Sequence, residues 1–379
     1  MTDHGNPANE GPHPWPRTGA GITACDDCLR RTDLIAAIAG RLQIEFKQRT
    51  APGGVLALPD EELLEIGASG DVERRYAGFV AAAARERASA AGLKIVCRCR
   101  DEYPGSLRDL DDPPAVIHIL GRPSALEAED AIAVVGARRA SSYGLEVARA
   151  LGRGLSAARV PVVSGLALGV DSEAHYGALE ASGSTIAVLA ASAHVAYPAR
   201  GWKLHAAVAE RGAVISEMPP GAQAQRWCFV ARNRIIAALG AATIVVQATE
   251  RSGSLTTADF AADLGRAVGA VPGLVTTRLS AGTHGLIQAG APLIRDAADA
   301  LELLAGVTGR EYPAGDEAPP LVLAPPLKRL LEAVEDGCGS LTELADTPEA
   351  ARSAMAGLGE LERLGLVRRG LRGRWERAA

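Results

Sequence analysis

Between residues 131 and 271, short unbroken apolar runs alternate with glycine-containing turns and helical stretches. No other feature constrains the fold as strongly. The runs fall at residues 131–135, 160–164, 185–190, 213–216, 242–247 and 267–271, and they are rich in Val, Ile and Ala. They do not alternate polar with apolar, which marks strands covered on both faces. Helical stretches follow the first two runs, at residues 143–158 and 170–181. Strand, tight turn and helix in succession predict an α/β fold with a doubly wound parallel sheet and crossover helices.

The segments around this core read differently. Residues 1–21 are rich in Pro, Gly and Asn and are expected to form a disordered tail. Residues 22–100 are expected to form an N-terminal helical domain, with an amphipathic helix at 32–49, a short helix from Pro59, a third helix rich in Ala and Arg at 72–91, then a short strand at 93–97. The core is expected over residues 101–306. Residues 307–326, rich in Pro, Gly and acidic side chains, read as a linker. Residues 327–379 carry a helix, a second helix capped by Ser340, and a long third helix from Pro348 after Thr347, stopped by Gly365. A hairpin follows. That order is a winged-helix-like layout.

Composition excludes several classes. The chain has 379 residues, 47% of them hydrophobic, ample for a sizeable core. Its apolar runs stop short of the roughly 20 residues of a membrane span. Residues 1–21 lack the basic start and apolar stretch of a signal peptide. A cytoplasmic protein with no membrane partner is therefore expected. The formal net charge of −5 argues against coating nucleic acid through bulk charge, so any such contact must use a local basic patch. Six cysteines suit a reducing compartment. Cys25 and Cys28 form one pair; Cys97 and Cys99, one residue apart, form another in which joint chelation looks awkward. Ordinary thiols and no metal are the expectation, with zinc at Cys25 and Cys28 as the alternative.

In an open α/β sheet ligands sit at the carboxyl ends of the strands, so the loops there are the candidate site. The first loop, Gly136-Ala137-Arg138-Arg139-Ala140-Ser141, puts Gly136 at a tight turn and Arg138 beside a helix start. It lacks the three-glycine dinucleotide fingerprint, and Ser164 stands where an acidic residue would hold a ribose. No cofactor is expected. The second runs from Ser164 and Gly165 to Gly169, Val170 and Asp171, where free N–H groups at a helix start attract phosphate. Asp171 and His175, one turn apart, read more simply as a cap and its hydrogen-bonding neighbour than as a catalytic pair. The third segment is Arg232-Asn233-Arg234, preceded by Phe229. The fourth is Ser252-Gly253-Ser254-Leu255-Thr256-Thr257, with hydroxyls and N–H groups that form an anion cradle at a helix start.

Taken in order, these stretches resemble the DprA/Smf family of DNA-processing proteins. The resemblance rests on Ala133-Val134-Val135-Gly136-Ala137-Arg138, Val163-Ser164-Gly165-Leu166-Ala167, Gly169-Val170-Asp171 with Ala174-His175, and Gly183-Ser184-Thr185-Ile186-Ala187-Val188-Leu189. It continues through Tyr197-Pro198, Ser216-Glu217, Arg232 to Ala237, Ser252 to Ala258, Val271-Pro272-Gly273 and Ser280-Ala281-Gly282-Thr283. The resemblance implies an extended Rossmann-like core between a helical module and a winged-helix-like domain. It also implies binding of single-stranded DNA, a homodimer formed through the core, and loading of the RecA recombinase in natural transformation, without enzymatic chemistry. Arg138 would hold a phosphate, and residues 165–169, 232–234 and 252–257 would line the DNA groove. The chain departs from the family pattern at Leu168, Val230, Ala191-Ser192-Ala193, Gln247 and His284. Two rival readings are a nucleotide phosphoribohydrolase-like enzyme, for which Asp259 is the nearest carboxylate to the fourth loop, and a winged-helix transcription regulator with a nucleotide-sensing core.

Overall fold

The computed structural model describes residues 23–48, 53–312, 324–335, 337–345, 347–363, 366–370 and 373–377. The expected tail, residues 313–323 of the expected linker, the helix stop at Gly365 and Arg372 of the hairpin lie outside these residues.

One eight-stranded sheet organises the chain. Its strands are β1 (Lys94–Cys97), β2 (Val116–Gly121), β3 (Ile132–Val135), β4 (Val162–Ser164), β5 (Thr185–Val188), β6 (Ala213–Ser216), β7 (Ala242–Val245) and β8 (Ala267–Ala270). Their order in space is β1-β2-β6-β5-β4-β3-β7-β8. The six strands from β3 to β8 are all parallel to one another. The chain winds outward from β3 through β4, β5 and β6, then returns to the other side of β3 to lay down β7 and β8. The strand order therefore reverses between β3 and β7, which is where an α/β sheet opens a ligand crevice.

Both faces of the sheet are buried, as unbroken apolar strands require. In β3, Ala133 and Val135 enter one core layer while Ile132 and Val134 enter the other. At one end the sheet is mixed. β2 runs antiparallel to β6, and β1 antiparallel to β2. Sequence reading missed β2 and assigned the strand at 93–97 to the helical module; it is instead an edge strand of the main sheet. β2 carries a polar residue at its centre, His118, which is only 2% exposed.

Two long helices expected near the N-terminus are each broken. The first is Asp26–Ala37 and Ala39–Gln48, parted at Ile38. The second is Gly70–Ala77 and Ala81–Ala90, interrupted around Gly78. Leu34, Ile38, Leu42, Val55 and Leu63 from this region share a core with Trp227, Cys228 and Ala231. Those three belong to the helix Arg226–Leu239. The Trp227 indole donates to the Ala39 carbonyl at 2.8 Å, so the helical module seats directly on a helix of the sheet layer.

The C-terminal elements are Pro325–Glu335, Leu341–Leu344 and Pro348–Arg363, then β9 (Val367–Arg369) and β10 (Trp375–Arg377) paired antiparallel. Leu331, Val334, Leu358, Leu361, Val367 and Trp375 form their own small core. Ser340 and Glu343 cap the short helix reciprocally. No helix among the described residues is long and apolar enough to cross a membrane.

Candidate functional site

A cleft of about 470 Å³ opens at the carboxyl ends of β3 and β7, at the reversal of strand order. It is lined by Gly136 and Arg138 from the first loop, Asp171, Arg232 and Asn233, and Ser252, Gly253, Ser254 and Thr257. A smaller hollow of about 150 Å³ adjoins it, sharing Arg138, Phe229 and Arg232 and adding Gly165, Leu168 and Tyr197. Nine of the twelve expected site residues thus border one continuous depression. Ser164, Gly169 and Arg234 do not.

Each wall has a local cause. The helix Ser142–Ala157 starts at Ser141, whose hydroxyl accepts from Gly144 N. Gln247 braces this start, because its carbonyl accepts from Ser141 N at 2.9 Å while its amide donates to Ser141 Oγ at 2.8 Å. A carboxylate could not donate, so the glutamine departure gives the first loop a two-way clamp onto the end of the β7 run. On the opposite wall Ser252 caps the helix Gly253–Asp263. Asn233 ties that helix start down by donating to Gly253 O at 3.0 Å and Thr256 Oγ1 at 2.8 Å. Asn233 is therefore a brace with its amide donors engaged. Thr257 is buried beneath the loop.

Gly253 has open space where a Cβ would stand, so nothing inside the chain demands glycine there. Gly169 is different: its φ is 85°, and a Cβ would come within 2.3 Å of Ala137 O. It serves the turn and the packing of two loops. Ser164 is fully buried and donates to Val134 O at 2.7 Å, so it links strands and does not reach the cleft.

The segment read as a third loop is helical. Arg226–Leu239 begins at Gln225, which caps with Cys228. On a helix, residues two apart point roughly 200° apart, so Arg232 and Arg234 cannot face the same groove. Arg234 turns into the core, 2% exposed, where it bonds Asp112 Oδ1 at 2.9 Å and both oxygens of Glu217 at 3.0 and 2.8 Å. Its charge is consumed internally. The expectation of three arginines lining the groove is thereby corrected to two.

Arg232 forms the floor. It is 5% exposed and lies across Gly165, where a Cβ would overlap its Nη1. Its Nε and Nη1 have no hydrogen-bond partner, and Asp171 Oδ2 stands 3.9 Å from Nη1. Asp171 accepts from Gly165 N at 3.1 Å, fixing the glycine turn. Burial pulls the Arg232 pKa below the usual arginine value, with the Asp171 charge opposing, and pushes the Asp171 carboxyl up. His175 bonds Thr185 Oγ1 at 2.7 Å. Burial holds its pKa down at about 3, so it is a neutral core group.

Arg138 is exposed, with its guanidinium 5.2 Å from the centre of the Phe229 ring. Phe229 in turn stands 5.5 Å from Tyr197, which is 53% exposed. A cation on a short aromatic ridge thus flanks the cleft. Sequence reading named neither aromatic as a site residue. Aromatics are only 4% of this chain, and two on the rim of a polar cleft were the available signal.

The spacing that made joint chelation by Cys97 and Cys99 look awkward does not keep the four thiols apart. Cys25, Cys28, Cys97 and Cys99 bring their sulfurs within 4.8 Å of one another. The one-residue gap is no obstacle here, because Cys97 ends β1 and the chain turns at Cys99, bringing both sulfurs toward Cys25 and Cys28.

The fold and cleft define an open α/β sheet protein with a basic crevice at its switch point. Residues 94–305 match the family described as DNA recombination-mediator protein A, and the chain belongs to that family. A DNA processing protein DprA of Mycobacterium tuberculosis is 42% identical over 239 residues, covering 61% of this chain but only 60% of that protein's length. The DNA processing protein DprA of Bacillus subtilis is 38% identical over 225 residues, covering 59% of this chain and 74% of the relative. The solved DNA processing protein A of Streptococcus pneumoniae superposes with a TM-score of 0.59 at 31% identity, over 73% of this chain and 95% of that one. That of Helicobacter pylori, described for its single-stranded DNA binding mode, gives 0.52 at 27% identity, over 57% and 98%.

Proposed function

We propose that this chain is a recombination mediator that holds single-stranded DNA along the switch-point cleft without bond chemistry. One observation carries the reading: Arg232 is buried at the cleft floor with two nitrogens unpartnered. An unmet buried donor costs about 1–3 kcal/mol, and a phosphate that draws the guanidinium outward into the cleft relieves that cost. The N-terminus of the helix Gly253–Asp263, with the Ser252 and Ser254 hydroxyls, offers a second anion position. Beside them, the Arg138–Phe229–Tyr197 ridge suits stacked bases, worth about 1–3 kcal/mol each. Contacts of this kind position a strand without reading its sequence.

RecA and a second copy of this chain are the partners that the family membership suggests, with protection of incoming DNA as the role. The hydrolase reading finds less support. Asp171 is the one carboxylate among the described residues lining the cleft, and it is engaged with Gly165 N. Asp259 borders a different hollow. The regulator reading calls for a basic wing, yet Arg374 is paired with Glu343 and Arg368 with Glu376.

The test is a salt-titrated binding assay with single-stranded and duplex oligonucleotides of equal length. The single strand should bind more tightly. Arg138→Ala should weaken it about tenfold, or about 1.4 kcal/mol, and flatten the slope of log K against log salt by about 0.7. Equal binding by this variant, or tighter binding of duplex, would remove the reading.

A further inference from the structure

We propose that Cys25, Cys28, Cys97 and Cys99 form a tetrathiolate site for one zinc ion that staples the N-terminal helical module to the edge of the main sheet. The cluster lies on elements that the DNA-binding reading does not use. Cys25 precedes the helix Asp26–Ala37 and Cys28 sits in its first turn. Cys97 ends β1, and Cys99 lies in the turn that follows. The site thus joins parts of the chain 72 residues apart.

The sulfur spacing fits a single tetrahedral ion. Ligands at a zinc–sulfur distance of about 2.3 Å stand about 3.8 Å from one another. Here Cys28 and Cys99 sulfurs are 3.6 Å apart, Cys25 and Cys97 sulfurs are 3.8 Å apart, and the whole set falls within 4.8 Å. Disulfides require about 2.05 Å, and all four cysteines are free. An iron–sulfur cube places four irons between its thiolates and needs a wider cage. A lone tetrahedral S4 set points to zinc.

The surroundings suit a charged centre. Zinc with four thiolates carries a net charge of −2. The Cys25 N–H donates to Cys97 Sγ at 3.4 Å, and the opening turn of the helix Asp26–Ala37 faces the sulfurs with its positive end. Arg98, between the two later cysteines, is 7% exposed. Cys28, Cys97 and Cys99 are buried, while a surface hollow bordered by Cys25, Cys28, Arg98 and Cys99 gives an ion a path in.

The decisive measurement is metal content of the full chain, purified under reducing conditions and reconstituted with zinc. About one zinc per chain should survive dialysis, and a thiol-reactive mercurial should release it. Replacement with cobalt(II) should produce the intense sulfur-to-cobalt absorption of a tetrathiolate centre. Cys99→Ser should abolish that absorption, while Cys228→Ser and Cys338→Ser should keep it. If Cys99→Ser fails to fold, the wild-type stoichiometry and cobalt spectrum still decide. Reconstituted wild-type protein with almost no bound zinc, or a cobalt spectrum without sulfur bands, would overturn the site. So would loss of metal in Cys228→Ser. None of these readouts depends on DNA binding.

Discussion

Arg232 and Arg234 sit two residues apart and do opposite things. Arg234 neutralises Asp112 and Glu217 inside the protein. Removing it strands two carboxylates, so Arg234→Ala should cost about 3–5 kcal/mol of stability, read by denaturant unfolding. A loss below 1 kcal/mol would contradict the assignment. Gly253 gives the converse case. Gly253→Ala meets no neighbour and should leave the unfolding midpoint unchanged or slightly raised. If a phosphate approaches this backbone, the added methyl should weaken single-strand binding; unaltered affinity would mean the strand passes elsewhere. Sequence alone could suggest that Arg232 and Arg234 matter, but not which one serves the ligand. That depended on helix phase, and the helix start was hidden because Gln225 and Cys228 do the capping in place of the usual Ser, Thr, Asp or Asn.

At the scale of elements, the parallel strands were legible because burial on both faces writes itself as continuous Val, Ile and Ala. The antiparallel edge was not. β2 follows a proline pair and carries His118 at its centre, and its partner β6 lies far along the chain. The loops at the strand ends were legible from their glycines and hydroxyls, whereas the cysteine cluster required knowing that β1 lies against the first helix. The C-terminal unit has a core of its own, and two of its hairpin arginines are paired with carboxylates. Deleting residues 327–379 should therefore leave single-strand affinity unchanged within the error of the assay. A large loss would give the wing a share in the groove.

For the whole molecule, acid sensitivity follows from buried neutral imidazoles. Burial lowers the pKa of His118 to about 4 and of His175 to about 3, against about 6.5 when unfolded. Between those values the unfolded chain takes up protons that the folded chain refuses. Their contribution to stability is complete above pH 6.5 and is lost as pH falls. Each should add a slope of about 1.4 kcal/mol per pH unit within its window. Comparing wild type with His175→Asn between pH 6 and 4 cancels other titrating groups, Asp112 among them, and the variant should show the shallower slope. Parallel slopes would mean that His175 is charged in the folded protein.

The helix Arg226–Leu239 has one further consequence. Trp227 anchors its start, Arg232 addresses the cleft and Arg234 addresses the interior. Inserting a single residue between the anchor and the arginines would rotate both by roughly 100°, misaiming the cation and unlocking the carboxylates in one event. This stretch should accept changes of side chain far more readily than changes of length, and an alignment of relatives should show it free of gaps.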